Sequence, residues 1–283
     1  MSNFDIEYIA LCKKILSEGE HVKTRTGTDA KKIFGHTFRF DLGSEFPILT
    51  TKFVSWRSAI IEMLWIYQVQ SNDVRWLQER GVKIWNEWAA DEKGNYMDKK
   101  LGKQFAHTIG TAYGWIVNKF GLIQRLIKTL KENPQDRRMI MSLWQDDYVP
   151  TACLPSCVWN TQWNVTNGKL NLVVGHRSCD VALGLPFNVT QYATLAYLIA
   201  HCTGLEIGEM LYVINDAHIY VNQIDGINEQ IAKFEEMGKK PSPKLWINPD
   251  VRDFFKFDNS KELKDIRLEN YEYNLKIKMP VSV

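Results

Sequence analysis

The sequence predicts an α+β fold, because helical segments, short strands and one clear hairpin follow each other without regular alternation. A doubly wound fold would require strands and helices to alternate along the chain. Hydrophobic residues make up 45% of the 283 positions, which is ample for a sizeable core. No Pro- or Ser-rich linker, repeat or low-complexity tract interrupts the sequence. We therefore expect a single domain over residues 1–283.

Helices are predicted where apolar residues recur at spacings of three and four. The segment Ser58–Gln70 is apolar nearly all round, so we expect it to be buried. The last of the predicted helices ends at Gly204, a residue that favours helix termini. The other predicted helices are Phe4–Leu16, Phe120–Leu130 and Val189–Cys202.

The clearest turn is Asn167-Gly168, because both residues tolerate positive φ and suit a two-residue hairpin. The flanking strands are predicted at Trp159–Thr166 and Lys169–His176. If residue 166 pairs with residue 169, then residue 157 lies opposite residue 178. Further strands are predicted at Ile33–Phe40, Leu211–Ile214 and Leu245–Ile247, and the apolar tail Met279–Val283 is expected to dock on the protein.

Composition argues against several classes of partner. Lys and Arg total 35 against 33 Asp and Glu, and a net charge of +2 gives no general signal for DNA or a membrane surface. The five cysteines form no Cys-x-x-Cys pair, and the N-terminal residues do not resemble a secretory signal. We therefore expect reduced thiols and a cytoplasmic location. Cys and His never occur at ligand spacing, so no metal site is expected.

Cys157 is the strongest candidate for chemistry. A cysteine is most often a small buried thiol, but Cys157 follows Pro155 at a strand start. The predicted hairpin brings it level with Arg177 and Ser178. A guanidinium there would lower the pKa of the thiol and favour a thiolate, which can add reversibly to an activated ring carbon.

Other polar residues have a structural and a functional interpretation. Asn188 is predicted to cap the helix that follows, with Gln191 as its capping-box partner, but its amide could also bind a planar ring. Glu62 lies on the apolar helix and needs a partner or a raised pKa. Arg25 lies among Thr and Gly residues typical of a phosphate contact. Trp85 is a core aromatic or the wall of a flat cofactor.

These motifs and others resemble the thymidylate synthase family over nearly the whole chain, and they occur in the family's order. The matching residues are 25–28, 46–52, 62–65, Ile84–Trp88, Tyr113-Gly114, Arg137-Arg138, 155–157, 177–188, Asp216–Tyr220 and the terminal Pro-Val-Ser-Val.

The resemblance implies a large twisted mixed sheet that is covered by helices and uses one sheet face as a homodimer interface. It also implies reductive methylation of dUMP to dTMP, with 5,10-methylenetetrahydrofolate as carbon and hydride donor and without a metal. In that scheme Cys157 adds to C6 of the uracil, and dihydrofolate is the second product.

Roles for individual residues follow from the resemblance alone. The catalytic group is Cys157, Glu62, Tyr113, Arg177 and Asn188. The dUMP-binding group is Arg25, Arg177, Ser178, Cys179, Asp180, Asn188, His218 and Tyr220, with Arg137 and Arg138 donated by the partner subunit. The folate-binding group is Trp85, Trp88, Leu154, Asp180, Gly184 and Ser282.

One departure and two alternatives remain open at this stage. Val158 stands where the family usually has His, and we hypothesise that His176 partly replaces the missing polar group. A pyrimidine-nucleotide hydroxymethylase of the same superfamily would favour Asp at position 188 and would have to admit water past Trp85. A non-catalytic nucleotide- or RNA-binding relative would have no need to keep Cys157, Glu62 and Tyr113.

Overall fold

A computed structural model describes residues 3–282 and contains eleven strands. They are β1 Glu20–Val22, β2 Ala30–Asp41, β3 Asn95–Tyr96, β4 Lys99–Lys100, β5 Ile140–Ser142, β6 Val158–Thr166, β7 Lys169–His176, β8 Cys179–Asp180, β9 Glu206–Tyr220, β10 Lys244–Ile247 and β11 Ile266–Glu269. Seven of them form one sheet in the order β1-β2-β9-β7-β6-β5, with β8 beside β9. The sheet is mixed, because β9 runs parallel to β7 and β8 and antiparallel to β2.

The described residues also form seven α-helices. They are α1 Asn3–Glu18, α2 Trp56–Tyr67, α3 Val74–Glu79, α4 Gly114–Lys119, α5 Leu122–Glu132, α6 Gly184–Thr203 and α7 Ile224–Met237. Helices α2 and α6 pack against each other and are buried along most of their length, as expected of helices that are apolar nearly all round. None of the helices between residues 3 and 282 is long and apolar enough to cross a bilayer.

One face of the sheet supports the helices and the other does not. Along β9 the side chains of Met210, Tyr212 and Ile214 are buried, whereas Leu211 and Val213 on the opposite face remain partly exposed. This alternation is the two-residue period of a strand with one covered face.

The four predicted helices are confirmed, but α6 begins five residues earlier than expected, at Gly184 rather than Val189. Pro186 is the third residue of α6, in the first turn, where proline is tolerated because its missing N–H has no partner within the helix. Asn188 is therefore inside the helix, and the prediction that it is the N-cap is wrong. The predicted C-terminus is confirmed, with Gly204 in the left-handed conformation.

The predicted hairpin is confirmed at the turn, where Thr166 pairs with Lys169. Its far end is shifted, because an irregularity between Val158 and Asn160 adds one residue to β6. Val158 consequently pairs with His176, and the backbone N–H of Arg177 donates to the carbonyl oxygen of Cys157 at 2.9 Å. Cys157 thus lies level with Arg177, not with residue 178.

The tail after β11 is docked, as the sequence predicted, although Val283 lies outside the described residues. The carbonyl oxygen of Leu275 accepts from Phe53 N at 2.9 Å. Further along, the carbonyl oxygen of Pro280 accepts from Gln223 at 3.2 Å. The tail therefore runs beside the start of α7, close to β8.

Candidate active site

Cys157 lies directly before the first residue of β6, and the backbone of its loop is fixed on two sides. Its N–H donates to the hydroxyl of Tyr113 at 2.9 Å. The Arg177 guanidinium donates from Nε to the Ser156 carbonyl oxygen at 2.9 Å and from Nη2 to the Pro155 carbonyl oxygen at 2.8 Å. Arg177 also lies over the Trp144 ring, 5.2 Å from its centroid. A fork with five N–H groups keeps further donors for a ligand.

The charge state of Cys157 differs from the expectation. Burial raises the pKa of the Cys157 thiol, and this effect outweighs the lowering by Arg177 and then by Arg25. The expected influence of Arg177 is present, but the prediction of a lowered pKa is wrong. The thiol is therefore held protonated, and its two arginine neighbours stabilise a thiolate only as it forms.

Tyr113 orients the loop from the other side. It precedes α4 with φ of 45°, a left-handed value that is unusual for a residue with a side chain. Its ring lies edge-on to Trp85, with 5.5 Å between the centroids. Burial raises the pKa of the Tyr113 phenol well above its ordinary value, so the hydroxyl keeps its proton.

Glu62 is buried on α2 and accepts two hydrogen bonds, from Trp85 Nε1 to Oε1 and from Gln191 Nε2 to Oε2. Burial raises the pKa of Glu62 to about 7, and the two donors oppose this shift. The predicted raised pKa is confirmed. A carboxyl with this pKa exchanges its proton readily at neutral pH.

Gln191 connects Glu62 to Asn188. The Asn188 Nδ2 group donates to Gln191 Oε1 at 2.8 Å, while the amide nitrogen of Gln191 donates to Glu62. The two residues therefore do not form a capping box. His176 has a different partner: its Nδ1 is 2.8 Å from the Tyr212 hydroxyl, and burial lowers the pKa of the ring to about 3. Gln191, and not His176, bonds to Asn188, and the role suggested for His176 stays a prediction.

Asp180 and the start of α6 form the next part of the site. Asp180 Oδ1 accepts from the backbone N–H groups of Ala182 and Leu183 at 2.9 and 3.0 Å. A Cβ atom at Gly184 would lie 3.7 Å from both Asp180 Cβ and Asn188 Oδ1, so Gly184 separates these two side chains. Cys179 is fully buried, so its thiol is not accessible to a ligand.

The candidate phosphate and ribose residues come from two neighbouring strands and a turn. Threonine hydroxyls brace the turn around Arg25, with Thr24 Oγ1 2.8 Å from Thr26 Oγ1. The end of β9 brings His218 beside Asp180 of β8 and places its ring 5.1 Å from that of Tyr220. His218 Nδ1 is paired with Asp216 Oδ1 at 2.7 Å.

The structure does not bring every predicted residue to this cluster. Arg138 is exposed and forms a bidentate pair with Asp136, with Nη2 2.9 Å from Oδ2, and Arg137 is also exposed.

The remaining folate candidates lie around the tryptophans, the Cys157 loop and the tail. The rings of Trp88 and Trp85 are edge-on, with 5.8 Å between their centroids, and Leu154 lies half-buried in the loop before Cys157. Ser282 Oγ is 3.4 Å from Asn222 Nδ2 in the docked tail.

Two glutamines of this site carried no functional signal in the sequence. Gln191 was recognisable only as a possible capping partner. Its hydrogen-bond acceptor, Glu62 of α2, is 129 positions away in the sequence. Gln223 follows Tyr220 by three residues, and its contacts with Asp180 and Pro280 are visible only in the fold. Among residues 3–282, no group of three or more His, Cys, Asp or Glu side chains is arranged to hold a metal ion.

Comparison with known proteins gives one family. A family model described as thymidylate synthase matches residues 6–283. Curated thymidylate synthases from Clostridium beijerinckii and Bacillus licheniformis are 46% and 39% identical, and each alignment covers 100% of both chains. The solved structure of thermostable thymidylate synthase A from Bacillus subtilis covers 99% of both chains with a TM-score of 0.86 and 39% identity.

Proposed function

The chain belongs to the thymidylate synthase family, and we propose that Cys157 is the nucleophile of its reaction. The reaction is the reductive methylation of dUMP to dTMP. When bound, 5,10-methylenetetrahydrofolate supplies both the one-carbon unit and the hydride. The observation that carries our assignment is that Tyr113 and Arg177 both bond to the loop of Cys157, while the charges of Arg177 and Arg25 act on its thiol.

We assign Cys157 Sγ to addition at C6 of the uracil. The new C–S bond pushes the C5–C6 electron pair toward C5 and O4, and the thiolate later leaves when the double bond re-forms. Because burial favours the protonated thiol, a proton must leave as the bond forms. The positive charges of Arg177 and Arg25 stabilise the thiolate at that moment.

We assign Asn188 to recognition of the pyrimidine. Since its Nδ2 group donates to Gln191, the amide is held with Oδ1 available to accept from N3–H of uracil. The second Nδ2 hydrogen can reach O4. Glu62, with its pKa near 7, and the protonated Tyr113 hydroxyl handle proton transfers to and from the ring.

The folate group of residues fits a flat ring with polar edges. Trp85 and Trp88 offer aromatic faces, and the oxygens of Asp180 can accept hydrogen bonds from ring N–H groups. Gly184 leaves space between Asp180 and Asn188, where the two ligands would meet. Ser282 would close the site from the tail.

We further propose a homodimer in which Arg137 and Arg138 bind the phosphate in the partner subunit. Both arginines are exposed, and Arg138 pairs with Asp136. The uncovered face of the sheet includes exposed apolar side chains at Trp159 and Val213, which a second copy would bury. A single domain and a cytoplasmic location complete the proposal, supported by one large continuous core and five unpaired cysteines.

Replacement of Cys157 by Ser tests the assignment. The hydroxyl is a far weaker nucleophile, so dTMP formation should fall by at least about a thousandfold. dUMP should still bind within about threefold of the original dissociation constant by calorimetry, because the arginines and Asn188 remain. Turnover within about tenfold of the original rate would show that another group attacks C6.

A further inference from the structure

Gln223 connects parts of the molecule that are distant in sequence and meet beside the proposed folate site. Its side chain is fully buried. Nε2 donates to Asp180 Oδ2 at 3.1 Å and to the carbonyl oxygen of Pro280 at 3.2 Å. Oε1 accepts from the backbone N–H of Tyr220 at 3.2 Å. The partners fix the orientation of the amide, because two acceptors face its NH₂ group and one donor faces its oxygen.

We propose that Gln223 is a positioning residue for folate binding, which couples the orientation of Asp180 to the docked position of the C-terminal tail. This inference rests on the proposed function, which places folate against Asp180 and Ser282. Gln223 touches neither the reacting atoms nor the ligand. It acts through the two groups that do.

Both couplings depend on the same NH₂ group. Asp180 Oδ1 is already occupied by the N–H groups of Ala182 and Leu183, so Gln223 is the donor that orients Oδ2. On the tail side, Pro280 follows Met279, whose side chain lies against Gly226 of α7. An amide that donates to both acceptors keeps them at a constant separation, and folate between Asp180 and the tail depends on that separation.

The most selective variant is Gln223→Glu. It keeps the size of the side chain and an oxygen for Tyr220 N, but its carboxylate turns acceptors toward Asp180 and the Pro280 carbonyl. Gln223→Met removes donors and acceptor together. The control is Gln230→Met, because Gln230 is an equally buried glutamine of α7 whose Nε2 donates to Thr51 Oγ1 at 2.9 Å.

Three quantities would be measured: the KM for methylenetetrahydrofolate, the dissociation constant for dUMP, and hydrogen exchange of the tail amides 275–279, 281 and 282 in protein without added ligand. We expect Gln223→Glu to raise the folate KM at least about tenfold and to speed tail exchange, with dUMP affinity changed less than about threefold. Gln223→Met should show the same folate effect, and Gln230→Met should change neither folate KM nor tail exchange by more than about twofold.

A folate KM and tail exchange within twofold of the original in both Gln223 variants would overturn the inference. An equal rise in Gln230→Met would also overturn it, because the cause would then be a general loss of stability. Absence of dTMP formation by the unaltered protein would instead contradict the proposed function. In that case unchanged tail exchange in Gln223→Glu would still reject the coupling.

Discussion

At the scale of single residues, the central feature is a carboxyl that holds its proton near neutral pH. Glu62 has no cation among its hydrogen-bonding partners, only the indole N–H of Trp85 and the amide of Gln191. Burial therefore dominates and raises its pKa from 4.5 to about 7. The same shift that suits proton transfer also makes folding stability depend on pH.

The direction of that dependence can be stated. Between pH 4.5 and 7 the folded protein keeps a proton on Glu62 that the unfolded chain has lost, so this contribution to stability falls as pH rises. We expect the unfolding free energy of the original protein, relative to Glu62→Gln, to decrease by about 2 kcal/mol from pH 5 to pH 8. Urea denaturation of both proteins at pH 5 and pH 8 measures this difference in unfolding free energy. A constant or increasing difference would show that the carboxyl is ionised throughout.

The sequence predicted which residue types form the site better than it predicted their charge states. The raised pKa of Glu62 could be inferred, because a carboxylate on an all-apolar helix has few ways to be solvated. The pKa of Cys157 could not, since it depends on how deeply the loop is buried and on which arginine donors are already used by Ser156 and Pro155. Contacts across more than a hundred positions, such as Gln191 with Glu62, leave no periodic signal.

At the scale of elements, the tail and α7 form a contact that can be tested through one glycine. A Cβ atom at Gly226 would lie 2.9 Å from the Met279 side chain, which is closer than such contacts normally occur. We expect Gly226→Ala to gain about 1 kcal/mol of helix propensity but to displace the tail. The folate KM should rise several-fold while the melting temperature changes little.

Asn228→Ala is the matched control for that change. Asn228 is exposed on the same helix, so alanine there also improves helix propensity and should leave the folate KM unaltered. If the folate KM of Gly226→Ala equals that of the unaltered protein, the tail adjusts without effect on the site.

The predicted boundaries of strands and helices are correct where local sequence determines them and wrong where packing does. The Asn167-Gly168 turn fixed the hairpin correctly because its chemistry is local. The irregularity near Trp159 shifted Cys157 by one residue because a bulge depends on packing and leaves no reliable sequence mark. Helix α6 extended past Pro186 because its first turn needs no N–H from that residue.

At the scale of the whole molecule, the uncovered sheet face and the two outlying arginines belong to one proposal. Val213 is 36% exposed near the middle of β9, where a second copy would bury it. Val213→Glu would place an unpaired charge in that interface, at a cost of at least about 3 kcal/mol, or roughly a hundredfold in the dimer dissociation constant. We expect a folded monomer with at most about one hundredth of the original activity.

Analytical ultracentrifugation at several protein concentrations measures the oligomeric state. Val213→Thr is the control, because it keeps a β-branched, neutral side chain. A Val213→Glu protein that stays dimeric would place the interface elsewhere. A monomer with full activity would show that Arg137 and Arg138 are not needed from a partner.

The most direct test of the account follows both products of one reaction. The purified protein is mixed with dUMP and methylenetetrahydrofolate, dihydrofolate is followed by absorbance, and the nucleotide is identified by mass. We predict one dihydrofolate for each dTMP formed, and neither product with Cys157→Ser. A hydroxymethylated nucleotide without dihydrofolate, or dUMP left unchanged by the unaltered protein, would contradict the account.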